Sequence, residues 1–248
     1  HWSLVTPSPL TPHPSPFTLP IPTSSLYFFP SLSKRLRMNL IYAALLFALP
    51  GAPPADTAVV ARRVAASAQL AAQEYRIGVV DGRVVAEAEV EEARLFLTEA
   101  IRTAKSLPAR VSAQTVTGLQ VALAMVQRTT TPDSVDLAVR NLTEALAAGL
   151  GVVLEELPER APSLSRGKAI YQRECASCHG DLGRADGPAG KALLPPPSNL
   201  ADHAALADVT PLAFYQRVTI GVAGTAMPAY ESRLSLEDRW AVASYAST

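Results

Sequence analysis

Cys175-Ala176-Ser177-Cys178-His179 sets two thiols about one helical turn apart and places an imidazole directly after the second. This is the C-x-x-C-H spacing by which c-type haem is attached. The thiols reach the two vinyl groups of one porphyrin, and the histidine is held beneath the ring with Nε2 free for iron. Other chemistries fit the segment poorly. A structural zinc site needs four Cys or His ligands, and His203 is the only histidine further along the chain. A thioredoxin-like thiol pair needs a βαβ setting that the surrounding sequence does not offer. A disulfide within the motif would leave the adjacent histidine without a purpose.

An iron bound on one face by His179 needs a ligand on the other. The candidates are Met227, His203 and Met125, since His1 and His13 fall in a leader-like stretch. Met227 is favoured. It lies in Gly224-Thr225-Ala226-Met227-Pro228, a loop bounded by Gly and Pro rather than a core helix, and a His/Met pair is an established haem ligand set. The competing view of a lone methionine is a gap filler in a core.

These side chains require a small helical frame. The sequence predicts one helix over 164–178, capped by Ser163 or Ser165, with Gly167 and Tyr171 on one face. A second spans 211–222. A third follows Ser235, with Asp238 three residues on, and carries Trp240 and Tyr245. Gly167 should let the first helix approach an aromatic of the last. Between His179 and the second helix, glycines and Pro195–Pro197 make a loop able to wrap the haem edge. A carbonyl of Pro196 or Pro197 is the expected acceptor for His179 Nδ1–H. Pro196, Pro197 and Tyr171 therefore join Cys175, Cys178, His179 and Met227 as cofactor-binding candidates, with His179 and Met227 as the metal ligands.

Residues 56–160 have no Cys or His and read as four helices. The first runs from Asp56 to Val80 and stops at Asp81-Gly82. Val90, Ala93, Leu97, Ile101 and Ala104 then form one apolar stripe, closed by Pro108. A third element covers 111–128. The fourth opens near Pro132 and carries Val135, Val139, Leu142 and Leu146. Short connections imply an antiparallel bundle. The acidic run Glu87, Glu89, Glu91, Glu92 reads as the solvated start of a helix, where negative charge suits the dipole.

Composition bounds the rest. The chain has 248 residues with a formal net charge of zero, which argues against a nucleic-acid binder. No acidic residue precedes Asp56, and prolines crowd the first thirty positions. Residues 1–37 read as a disordered or untranslated leader, with Met38 as the start. Residues 38–55, an apolar run behind Lys34, Arg35 and Arg37, read as a secretory signal peptide. No apolar stretch is long enough to span the roughly 30 Å core of a bilayer.

On these residues, 163–248 resembles a class I cytochrome c domain, with CASCHG, the PPPSNLAD loop and the GVAGTAMP loop in order. The span 56–248 resembles the N-terminal region of bacterial iron-permease-family fusion proteins, through AQEYRIGVVDG (Ala72–Gly82), the cytochrome motifs and the terminal SLEDRWAVASYAST. The permease's glutamate-rich motifs have no counterpart, so transport is not assigned to this chain, and its end at Thr248 is read as that of a gene fragment.

The expected fold is all-α: an antiparallel bundle over 56–160, then a small cytochrome c domain over 163–248. The expected function is an exported, periplasmic one-electron carrier with one covalent haem c, not an enzyme. An alternative is the front of a membrane iron transporter in which haem serves iron redox during uptake. A third is a catalytic haem protein whose methionine dissociates. The expected partner is a redox protein or an adjacent or fused iron transporter, with membrane attachment only through a missing C-terminal part.

Overall fold

The computed structural model describes residues 55–248, so the leader reading and nearly all of the signal-peptide segment lie outside the described residues. Among them are eight helices and a two-stranded hairpin. Helix α1 spans Ala55–Gly78, strands β1 and β2 are Val79–Val80 and Arg83–Val84, and α2 is Glu87–Ala104. Helices α3 (Ala109–Gln127) and α4 (Pro132–Leu150) complete the bundle. Then come α5 (Leu164–Glu174), α6 (Ala176–His179), α7 (Pro211–Ile220) and α8 (Leu236–Ala246).

The first helix stops two residues earlier than its apolar pattern suggests. Val79 and Val80 pair antiparallel with Val84 and Arg83. Asp81 and Gly82 take positive φ of 50° and 71° in the turn, as a two-residue hairpin demands. The bundle closes as a ring in which α1 packs on α2 and α4, and α3 packs on the same two. Its core is small-residue-rich, with Leu97, Leu119 and Leu146 almost fully buried, each worth roughly 1.5–3 kcal/mol. The expected stripes of α2 and α4 are the buried faces, except that Ile101 is only partly covered. Met125 packs against this core.

Two caps and a first-turn proline fall where the sequence placed them. Ser163 accepts from Arg166 N–H and Ser235 from Asp238 N–H, while Pro132 occupies the first turn of α4. Thr210 caps α7 by accepting from Ala213 N–H. Helix α7 ends at Ile220, short of Val222, because Gly221 has φ 77°.

The predicted helix 164–178 is instead two helices. In a continuous helix Cys178 N–H would bond to the Glu174 carbonyl; here the Tyr230 hydroxyl takes that carbonyl at 3.1 Å, and Cys178 N–H bonds to the Cys175 carbonyl. The chain offsets at Cys175 and restarts as α6. The cytochrome region packs on the bundle through α1 and α7, and Ala213 is buried in the bundle core. The connection after α4 is strapped down. Its Glu156 accepts from the Tyr215 hydroxyl, pairs with Arg62, and offers its carbonyl to Trp240 Nε1–H at 2.7 Å.

Tyr75 is fully buried, and its hydroxyl donates to the Thr130 carbonyl after α3, tying α1 to the α3–α4 turn. Tyr75→Phe keeps the ring and leaves that carbonyl short of a donor. It is expected to cost about 1–2 kcal/mol of stability, read from the shift in the urea midpoint at unchanged slope.

Candidate functional site

Helix α5 brings the C-x-x-C-H segment to the site by packing on α8. A Cβ on Gly167 would sit 2.1 Å from the Ala241 carbonyl oxygen and 2.8 Å from Tyr245 Cβ, so only glycine permits the crossing. One turn on, Tyr171 meets Tyr245 edge-on at 5.5 Å between ring centroids. The Tyr171 hydroxyl donates to the Gly180 carbonyl at 2.9 Å, fixing the chain just beyond His179. The following loop folds back over α6: Ala189 N–H bonds to the Ser177 carbonyl and Ala185 N–H to that of His179.

Cys175, Cys178, His179 and Met227 line one cavity of about 440 Å³, within the roughly 300–1,000 Å³ typical of cofactor sites. Tyr171, Pro196 and Pro197 line the same cavity. The four sequence-predicted donors are therefore brought together. His203 is exposed and does not line that cavity.

Both cysteines are free thiols. Burial, with Glu174 adding to it, pushes the Cys175 thiol up to about 12, so it stays protonated. Burial holds His179 below its usual value, favouring the neutral imidazole. Its Nδ1 lies 3.0 Å from the Ser198 carbonyl. A carbonyl only accepts, so Nδ1 carries the proton and Nε2 keeps its lone pair. The acceptor corrects the expectation of Pro196 or Pro197. The locked pyrrolidine rings line the cavity instead, and the first residue beyond the proline run turns its carbonyl to the imidazole.

The methionine loop is built on glycine. At Gly221, a Cβ would lie 2.8 Å from the Met227 carbonyl oxygen, and the backbone there is left-handed. The Thr225 hydroxyl donates to the Val222 carbonyl and accepts from Met227 N–H, while Tyr230 N–H bonds to the Val218 carbonyl.

Sequence reasoning missed the bundle's share of the lining, Glu74, Ile77, Glu89 and Glu92, with Arg217 beside them. The acidic run divides. Glu87 and Glu91 are exposed and pair with Arg94 at 3.5 and 3.0 Å, as a solvated helix start would. Glu89 and Glu92 instead turn inward, and carboxylate oxygens of Glu74, Glu89 and Glu92 lie within 4.8 Å of one another. The available signal was a charge, Glu74, one turn from Leu70 and Ala71 on the buried stripe of α1, where an acid needs a partner.

A cavity edged by a C-x-x-C-H helix and a loop methionine, on a small helical frame, defines a haem-protein domain. The donor chemistry fits that group: an oriented imidazole, a thioether and two thiols. Residues 162–245 match the family described as cytochrome c oxidase, cbb3-type, subunit III, and residues 53–152 match the iron permease-associated 4-helix bundle domain. The chain thus joins an iron permease-associated helical bundle to a cytochrome c domain, and among the described residues all regular structure apart from the hairpin is helical. No curated protein matches it. Among solved structures, it is similar to the Kuenenia stuttgartiensis reducing HAO-like protein complex, at 27% identity and a TM-score of 0.30 over 48% of this chain. The match spans 58% of that chain. Among the described residues, no helix is long and apolar enough to cross a membrane.

Burial, reinforced by Glu89, pushes Glu92 up to about 7. Its carboxyl holds a proton more tightly folded than unfolded. The folded state is therefore favoured below the unfolded value of about 4.3 and loses stability as pH rises through 7. Glu92→Gln is expected to stabilise the chain at about pH 8 and change little at about pH 5. Allowing for partial exposure, the gain read by denaturant unfolding is about 1 kcal/mol.

Proposed function

We propose that this chain is an exported one-electron carrier holding one covalent haem c. Cys175 and Cys178 form the thioether links, and His179 and Met227 are the axial ligands. The observation that carries the reading is the convergence of these four side chains on one cavity. When bound there, haem supplies a one-electron couple between ferric and ferrous iron.

The chain's own residues do the rest. Ser198 orients His179 by accepting its Nδ1 proton, which also makes the imidazole a stronger donor. Gly221 and Thr225 hold the loop that presents Met227. Tyr171 steadies the turn after the attachment motif. Pro196 and Pro197 cover the cavity edge and limit water. With His179 and Met227 both holding the iron, no position would be left for a substrate, which favours electron transfer over the catalytic alternative.

The bundle match supports an iron-uptake setting, with the carrier beside or fused to a membrane iron transporter and with iron as the metal whose oxidation state matters. A cytochrome c domain fits a location outside the cytoplasm, and we place it in the periplasm. Membrane attachment then comes from the transporter. The carrier's other partner is a redox protein.

The test is maturation of the chain in a host competent for cytochrome c assembly. The wild type is expected to carry haem that resists acid–ketone extraction, and the Cys175→Ala, Cys178→Ala double variant to lose it. Met227→Ala is expected to keep covalent haem, lose the long-wavelength absorption of methionine-ligated ferric iron, and fall in reduction potential. A colourless wild type overturns the haem reading. Survival of that absorption in Met227→Ala overturns the ligand assignment.

A further inference from the structure

The haem cavity has one wall that belongs to the bundle, and an ion pair crosses it. Arg217 is the only charged residue of α7, and its guanidinium pairs with the Glu74 carboxylate from α1. Glu74 is 3% exposed. Arg217 also lines the cavity, and its Nη1 is buried with no partner of its own. Burial lowers Arg217 to about 10, still far above neutrality, so it stays cationic.

An isolated buried guanidinium is costly, and an opposed carboxylate offsets much of that cost. Glu74 therefore does two things. It fixes where the guanidinium sits on the cavity wall, and it cancels part of the guanidinium's field. The carboxyl groups of Glu89 and Glu92 stand within 4.8 Å of Glu74, and Glu92, pushed up to about 7, adds its full negative charge only above that pH.

Adding an electron to a metal centre lowers its charge. A cation nearby favours the reduced form and an anion favours the oxidised form, with an effect that grows as water is excluded. We propose that Glu74 of the bundle is a positioning and charge-balancing residue for the haem, acting through Arg217, so that the reduction potential is set jointly by the two parts of the chain. This rests on the haem reading above. It gives the bundle a part in the electron transfer that the attachment motif and axial ligands do not explain.

The signs separate this role from a merely structural one. Loss of the Glu74 charge leaves the Arg217 cation uncancelled and raises the potential. Loss of the Arg217 charge leaves Glu74 uncancelled and lowers it. Loosening of the interface lets water to the porphyrin and lowers the potential in both cases, because water stabilises the ferric charge.

The experiment is spectroelectrochemical titration of the full-length holoprotein and its Glu74→Gln, Arg217→Gln and Arg217→Lys variants. The expected result is a potential raised in Glu74→Gln, lowered in Arg217→Gln and largely restored in Arg217→Lys, with the axial-ligand absorption of the wild type kept in all three. A Glu74→Gln potential that is unchanged or lowered overturns the proposal. If Glu74→Gln is not recovered with haem, the arginine variants decide: restoration by lysine supports the charge role, and equal potentials in glutamine and lysine variants overturn it. A wild type without haem overturns the parent reading. A normal haem spectrum with unmoved potentials overturns this one alone.

Discussion

Everything at the cavity depends on how closely α5 can approach α8. At Gly167 the two backbones come so near that a single methyl group would strike the Ala241 carbonyl. That contact sets the crossing, the crossing places Tyr171 against Tyr245, and the end of α5 then delivers Cys175 to the cavity. From the other side, the Tyr230 hydroxyl captures the Glu174 carbonyl and forces the offset between α5 and α6. The chain is thus gripped from two sides just ahead of the motif's first cysteine. Its geometry is imposed by tertiary packing, not by helix propensity.

The bundle is more than a neighbour. Ala213 of α7 is buried in the bundle core, and Val209, Ile220 and Val222 pack on the same cluster. Helix α7 leads directly into the loop that carries Met227. The bundle therefore supports the methionine side of the cavity, while α8 supports the histidine side. Buried charge accompanies the apolar contact, since the Arg217–Glu74 pair lies on the same face. Apolar packing fixes the approach of the two parts, and the ion pair adds a directional lock.

Much of this was legible along the chain, because short-range chemistry left strong marks. The C-x-x-C-H spacing, the Gly- and Pro-bounded methionine loop, the caps at Ser163 and Ser235 and the stripe of α4 are all local signals, and the described elements carry them. Long-range effects were hidden. The break at Cys175 depends on Tyr230, 55 positions further on, so no local pattern announces it. The Ser198 carbonyl was missed by one residue, since backbone direction after three prolines is decided by the loop's closure. The inward turn of Glu89 and Glu92 was missed because alternate members of one acidic run face water and cavity, and only the position of α1 distinguishes them.

The segment between α4 and α5 has the length and prolines of a tether, yet Glu156 in its middle is bound by Arg62 of the bundle and by Tyr215 and Trp240 of the cytochrome region. A swinging arm, which ferries its cofactor between distant stations, needs the opposite: a free hinge with few anchors. This chain has the build of a fixed post. Whatever exchanges electrons here meets a site held still against the bundle, not one carried on a moving arm.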